Sequence, residues 1–479
     1  MVVLIAIAVA GGLVAALFAK LCDMAMEGHV RLYARAPLLT LLLLPIGFGG
    51  VTWITRRMAP EAAGSGIPQV IAAAEHRWSG RWDGQRVTLR TALWKIALSA
   101  ALLLCGGSIG REGPTVQVVA GLMRSLSRGL RGGPGRRAVI IAGGAAGVSA
   151  AFNTPIAGVV FAVEELARGF ERRTHSFVIL VVVVAGFTSY AVQGDYAYFG
   201  VLQGDPALAG AWLSAPLIGV SGGLLGGLFS RGLATVIGPV DNPVARWRAG
   251  RPIMFAVLCG VAAAAVVFAS GGVTFGAGYA EAKTLLSHDQ GGGLGFAFAK
   301  LLASFAAACS GAPGGIFAPS LATGAGLGAA FAHLGLVHSG RNAVVLGMAG
   351  YLSGVVQAPL TSAVILMEIT REPSLVGPLM LTALIARWAS GLLMPEPLYH
   401  VLSRSWLPPA PPGPPSPSHA IGRSGGSAPS MPRHGQAHGD CRHEHQQKAS
   451  HQSAASGCLL RTGAMMRGKA MHGISPLRA

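Results

Sequence analysis

The chain has 479 residues, of which 52% are hydrophobic and only 12% charged, and its mean hydropathy is +0.53. Such a composition excludes an ordinary soluble globular protein and indicates an all-α polytopic membrane protein embedded in a lipid bilayer. The net charge of +18 does not indicate nucleic acid, because the basic residues cluster in loops between apolar runs, as at Arg56-Arg57, Arg136-Arg137 and Arg168 with Arg172-Arg173; this is the positive-inside pattern, without basic and aromatic interleaving.

Met1 to Ile7 lacks a basic leader region and reads as the start of a first membrane helix rather than a cleaved signal. Apolar segments near 2–19, 38–54, 91–106, 138–151, 155–167, 177–193, 212–236, 253–269, 296–309, 343–356, 359–369 and 374–394 alternate with short polar or glycine-rich breaks. A helix needs roughly 20 residues to cross about 30 Å of hydrocarbon. The runs Ile67 to Ala74 and Thr115 to Met123 fall well short and are read as half-helices, which a membrane tolerates only where the freed backbone lines a cavity or is buried in protein. From 405 to 479 the chain is rich in Pro, Ser, Gly and His and is expected to be a disordered tail. Its His434, His438, Cys441, His443 and His445 are read as composition rather than a metal site. No metal or cofactor is expected, since the six cysteines also lack ligand or disulfide spacing.

Two copies of one long unit are visible. Gly106, Gly110, Pro114 and Ala120-Gly121-Leu122 recur 205 residues later at Gly311, Gly315, Pro319 and Ala325-Gly326-Leu327. Gly143, Ala145, Ser149, Pro155 and Glu164 recur at an offset of 204 as Gly347, Ala349, Ser353, Pro359 and Glu368. The transport region is therefore expected to span 1–404 in repeat halves of about 1–205 and 206–404. Matched half-helices in two halves point to a transport site near the midplane.

Four places share one device, a turn of Gly or small polar residues followed by Pro at the expected first helical position: Gly64-Ser65-Gly66-Ile67-Pro68, Gly110-Arg111-Glu112-Gly113-Pro114, Asn153-Thr154-Pro155 and Gly315-Ile316-Phe317-Ala318-Pro319. Proline is compatible with a helix start, and each start offers unpaired N–H groups and a partial positive charge. Several such starts converging would bind an anion without a full cationic partner that would trap it.

The three Gly-to-Pro motifs that begin at Gly64, Gly110 and Gly315, with Ala150-Ala-Phe-Asn-Thr-Pro-Ile-Ala-Gly158 and Pro395-Glu-Pro-Leu-Tyr399, resemble the CLC family of chloride channels and proton-coupled chloride transporters. The resemblance spans 1–404 and implies about eighteen helices, inverted repeats, and a homodimer with one ion pathway per subunit in the bacterial inner membrane. It implies a central chloride site of the Ser65 and Tyr399 hydroxyls with the amides of Ile316 and Phe317, and an outer site of amides around Arg111, Glu112 and Gly113. By the same resemblance Glu112 is the gating glutamate and Glu165 the internal proton-transfer glutamate.

The repeat adds a distinction. Glu164 has a partner in Glu368 and so is expected to make a structural end-of-helix contact, whereas Ile369 stands opposite Glu165. Lys95 is either a buried counter-charge or a snorkelling side chain, and Arg387 is similar. The function so implied is a proton/chloride antiporter, with a passive chloride channel of the same family as the alternative. Ser65 and Tyr399 keep the chloride-type pattern, which disfavours a fluoride exporter, and Ser65 rather than Pro disfavours a nitrate-preferring exchanger. An intramembrane enzyme would need an embedded metal-binding His pair, paired aspartates or a Ser and His pair, and the sequence offers none.

Overall fold

The computed structural model describes residues 2–75, 86–129, 134–167, 172–194 (172–174 as backbone alone), 208–287, 293–337 and 340–407. The tail beyond 407, with its His and Cys residues, and the junction at 195–207 between the repeat halves lie outside the described residues. The first helices are α1 (Val2–Arg35), α2 (Pro37–Met58), α3 (Ile67–Ala74), α4 (Leu89–Leu104), α5 (Glu112–Leu126), α6 (Arg136–Phe152), α7 (Pro155–Phe161) and α8 (Arg172–Gln193). They are followed by α9 (Leu208–Ile237), α10 (Pro243–Gly250), α11 (Pro252–Ala269), α12 (Tyr279–Ser287), α13 (Gly293–Cys309) and α14 (Phe317–His333). The last are α15 (Gly340–Val356), α16 (Pro359–Thr370), α17 (Val376–Leu393) and α18 (Leu398–Ser403). Among the described residues there is no strand, only an isolated antiparallel bridge between Gly110 and Gly315.

Among the described residues, six helical segments are long and apolar enough to cross a membrane: Val2–Arg35, Pro37–Met58, His175–Gln193, Leu208–Ile237, Pro252–Ala269 and Pro373–Leu393. The 8-residue α3 cannot span, as its short apolar run foretells, and the run from Thr115 to Met123 lies in the 15-residue α5, also short of a span; the 7-residue α7 is shorter still. Close packing replaces the missing hydrophobic force between helices in lipid. Along α9, Gly222 and Gly226 face the backbone of α15, where a Cβ on Gly226 would stand 2.7 Å from both the Gly354 carbonyl carbon and the Val355 nitrogen.

Contacts between the two halves are reciprocal. Glu164 Oε1 and Oε2 accept the Leu360 and Thr361 amides at 3.0 and 2.7 Å, at the start of α16. Glu368 in turn accepts the Ile156 and Ala157 amides at 3.1 and 2.6 Å, at the start of α7. Each carboxylate thus satisfies otherwise unpaired N–H groups and the partial positive charge of the opposite half's helix, the structural role expected from the repeat.

Lys95 is fully buried, and its Nζ donates to the Ala62 and Gly64 carbonyls at 2.8 and 2.6 Å. Lys300, 205 residues on, donates likewise to Thr274 and Gly276 at 3.0 and 2.6 Å. The ammonium groups therefore pin two turns, Gly64-Ser65-Gly66 and Gly276-Ala277-Gly278, that precede the short helices α3 and α12. Neither snorkelling nor pairing with an acid describes Lys95. Arg387, by contrast, is exposed and donates to the Gln357 carbonyl at 2.5 Å.

One expectation needs correction. Pro155 is the first residue of α7, but Pro68 is the second of α3, and Pro114 and Pro319 are the third residues of α5 and α14. The first four helical N–H groups all lack intrahelical acceptors, so proline is tolerated throughout that turn. The consequence is local: Glu112 and Phe317, not the prolines, begin their helices.

Candidate anion pathway

The Gly110 and Gly315 turns, equivalent in the two repeats, exchange both backbone hydrogen bonds at 2.8 Å. The Gly64 turn joins them, its amide donating to Ala312 at 3.2 Å and its carbonyl accepting from Gly314 at 3.0 Å. Such proximity requires glycine: a Cβ on Gly315 would lie 3.0 Å from the Gly110 carbonyl oxygen and 3.1 Å from the Gly113 nitrogen. Gly66, which caps α3, has φ of 98°, a left-handed conformation that glycine adopts without a Cβ penalty. Backbone pairing therefore draws the N-termini of α3, α5 and α14 together.

Of the expected site residues, the structure brings Ser65, Arg111, Glu112, Gly113, Ile316, Phe317 and Tyr399 into one cluster. A Cβ on Gly113 would collide with the Ser65 Oγ. Phe317 stacks on Tyr399, with ring centroids 6.1 Å apart and planes 11° from parallel, and its other contacts are Phe152 at 6.0 Å and Phe161 at 6.3 Å. That aromatic group orients the Tyr399 ring. The Ser65 and Tyr399 hydroxyls are near neighbours, yet as buried atoms neither completes a well-formed hydrogen bond. Buried polar atoms are rarely left so, and two hydroxyl donors beside open helix starts suit an anion.

Glu112 is 1% exposed. Its Oε1 accepts the Tyr279 hydroxyl, and its carboxylate is turned toward the amides of its own residue and of Ala318, the second residue of α14. Its Oε2 completes no hydrogen bond. Arg111, though adjacent, directs Nη1 to the Ala19 carbonyl at 2.7 Å and to Asp23 Oδ1 at 2.6 Å. The negative carboxylate thus sits where two helix N-termini converge.

Two cavities are lined by residues next to this acid. One of about 380 Å³ is lined by Ser65, Ile316 and Tyr399 at its depth, and by Arg56 and Arg248; the Arg56-Arg57 pair assigns it to the cytoplasmic side. Burial lowers the pKa of the Arg248 guanidinium from its ordinary value, without neutralising a group of such high intrinsic pKa at physiological pH. The other, of about 470 Å³, is lined by Asp23, Glu27, Arg111, Tyr279, Glu281 and Lys283. Ser65 lines the first and Tyr279 the second; Glu112 is bonded to Tyr279 and precedes Gly113, which packs on Ser65.

Glu165 lies apart from Glu112, in the π-helical turn Ala162–Leu166 that follows α7, and is 3% exposed. His400 Nε2 stands 3.8 Å from its Oε1. Tyr399, the residue before His400, is within charge-interaction range of both Glu112 and Glu165.

Four residues at these sites escaped the sequence reading: Asp23, Tyr279, Lys300 and His400. For two of them a signal exists. Lys300 repeats Lys95 at the offset of 205, and Gly276-Ala277-Gly278-Tyr279 echoes Gly64-Ser65-Gly66-Ile67 at an offset of 212.

Comparison with known proteins agrees with this geometry. The profile of the voltage gated chloride channel family matches residues 47–391. The chain is 29% identical over 400 residues to the H(+)/Cl(-) exchange transporter ClcA of Citrobacter koseri, covering 78% of this chain and 79% of that one. It is 30% identical over 390 residues to the protein of the same name from Salmonella agona, with 78% of each covered. Among solved structures it is similar to a slow cyanobacterial Cl-/H+ antiporter, with a TM-score of 0.73 and 25% identity over 85% of this chain and 97% of the other. A CLC-type fluoride/proton antiporter shares the fold at a TM-score of 0.71 and 22% identity, over 84% and 96%.

Proposed function

Because this chain belongs to the voltage gated chloride channel family, we propose that it exchanges chloride for protons across a cell membrane, with Glu112 as the gate. The observation that carries this reading is the Glu112 carboxylate at the joined N-termini of α5 and α14, bonded to Tyr279 of one cavity and adjoining Gly113, which packs on Ser65 of the other. An ionised carboxylate there takes the place of the transported anion and blocks the path. Protonation cancels its attraction to the helix starts, the side chain leaves, and chloride reaches the amides it vacates. Opening the anion path therefore loads a proton. Chloride from the cytoplasmic cavity is received by the Ser65 and Tyr399 hydroxyls and the Ile316 and Phe317 amides, then by the amides at Arg111, Glu112 and Gly113. Protons reach the path from the cytoplasm through Glu165.

The reciprocal capping by Glu164 and Glu368 supports a two-fold relation between the repeat halves, which the family reading makes an inverted one. Ser65, Glu112, Ile316, Phe317 and Tyr399 gather within one chain, which supports a separate pathway in each subunit of the expected homodimer. Named relatives being exchange transporters supports exchange over passive conduction. The test is purified protein in liposomes under a chloride gradient, with voltage clamped by potassium and valinomycin. Protons driven uphill by chloride support antiport; chloride flux without proton movement leaves a passive channel.

A further inference from the structure

The outer turn that Lys300 pins does not merely copy its inner counterpart. Where the first repeat carries Ser65, the second has Ala277, and where the first has Ile67, the second has Tyr279. The first repeat thus turns a hydroxyl toward the inner cavity, and the second turns one toward the outer cavity. Tyr279 is the first residue of the 9-residue α12, is half-buried, lines the outer cavity and donates its phenolic hydrogen to Glu112 Oε1.

We infer that Tyr279 is an outer latch, a positioning residue whose hydroxyl holds the ionised Glu112 in the closed pathway and is handed to the passing anion when the glutamate leaves. The inference rests on Glu112 being the gate. A phenol suits both duties because it donates one hydrogen bond to a carboxylate or a halide and cannot compete as a cation. Tyr279 directly follows the turn whose Thr274 and Gly276 carbonyls are fixed by Lys300.

Other titratable groups line the outer cavity with Tyr279, Glu27 of α1 among them, or approach Glu112. Asp23 and Cys22 reach the outer cavity from α1, Arg111 stands at the start of α5, and Glu281 and Lys283 follow Tyr279 on α12. Tyr399 approaches from α18. Arg111 is tied to Asp23 at 2.6 Å, and Tyr279 is a side chain that hydrogen-bonds the Glu112 carboxylate, beside the amides of Glu112 and Ala318.

The latch favours the charged, closed state, so its loss must let Glu112 protonate and open at higher pH. In the full chain reconstituted in liposomes, Tyr279→Phe is expected to shift the pH of half-maximal chloride flux alkaline by about one unit, the worth of one hydrogen bond to a charged group. Replacing Tyr279 by 3-fluorotyrosine through stop-codon suppression keeps the ring and makes the phenol a stronger donor, so the midpoint must move the opposite way. In a Glu112→Gln background neither change at 279 should alter the profile. An unshifted midpoint in both 279 variants overturns the latch, as does a shift that persists without the carboxylate. If Glu112→Gln alone retains the full pH dependence, the gate reading itself fails and the latch with it.

Discussion

Replacing Lys95 by Met removes a buried side chain central to the turn that presents Ser65. The ammonium donates to two carbonyls, Ala62 at 2.8 Å and Gly64 at 2.6 Å. Its loss affects the two differently. Gly64 lines the inner cavity, where water can replace the lost donor, whereas Ala62 is 0% exposed and is left with an unsatisfied carbonyl. Methionine fills most of the volume, so the orphaned carbonyl dominates, at about 2 kcal/mol. If the whole loss is felt as disorder of the Ser65 turn, chloride binding weakens by up to about 30-fold. Isothermal titration of chloride into detergent-purified Lys95→Met measures this. Lys300→Met, which frees the Thr274 and Gly276 carbonyls on the other side, should leave the central affinity unchanged. A folded Lys95→Met protein with wild-type chloride affinity would refute the reasoning that the buried ammonium sets the geometry of Ser65.

Other perturbations separate structural from transport roles. Glu164→Gln and Glu368→Gln should each lower stability by about 1 kcal/mol, since each removes an anionic cap from two amides; thermal melting in detergent should give matching losses for the pair, with exchange retained. Glu165→Gln should abolish proton movement while chloride flux persists in the liposome assay, and proton transport at the wild-type rate would remove Glu165 from the path. Tyr399→Phe deletes one donor to the central anion and should weaken chloride binding about tenfold by titration; an unchanged affinity would place the anion elsewhere.

Much of the pathway could be read before the fold was seen, because its parts are local. Gly64, Gly110 and Gly315 each announce a turn that opens a helix, and the recurrence of Glu164 as Glu368 announced a structural pair. Proline misplaces the helix start at Pro68, Pro114 and Pro319 because it is compatible with any position in the first turn. The features that could not be read depend on distance along the chain. Nothing near Asp23 signals Arg111, 88 residues away, and nothing in the Pro395–Tyr399 match signals that His400 meets Glu165. Tyr279 was hidden for a different reason: its turn has lost the Pro and hydroxyl of its counterpart, and the repeat offset slips from 205 to 212, so the echo survives only as two glycines.

In the proposed mechanism the Glu112 carboxylate occupies the anion's place until it takes a proton. Glu112→Gln tests it, because the amide has the shape of the protonated acid and can neither carry the charge nor release a proton. Chloride and proton fluxes of the variant should be recorded together in voltage-clamped liposomes across acid and neutral pH. The account predicts chloride flux that no longer varies with pH, and no proton movement against its gradient. Continued uphill proton transport by Glu112→Gln would contradict it.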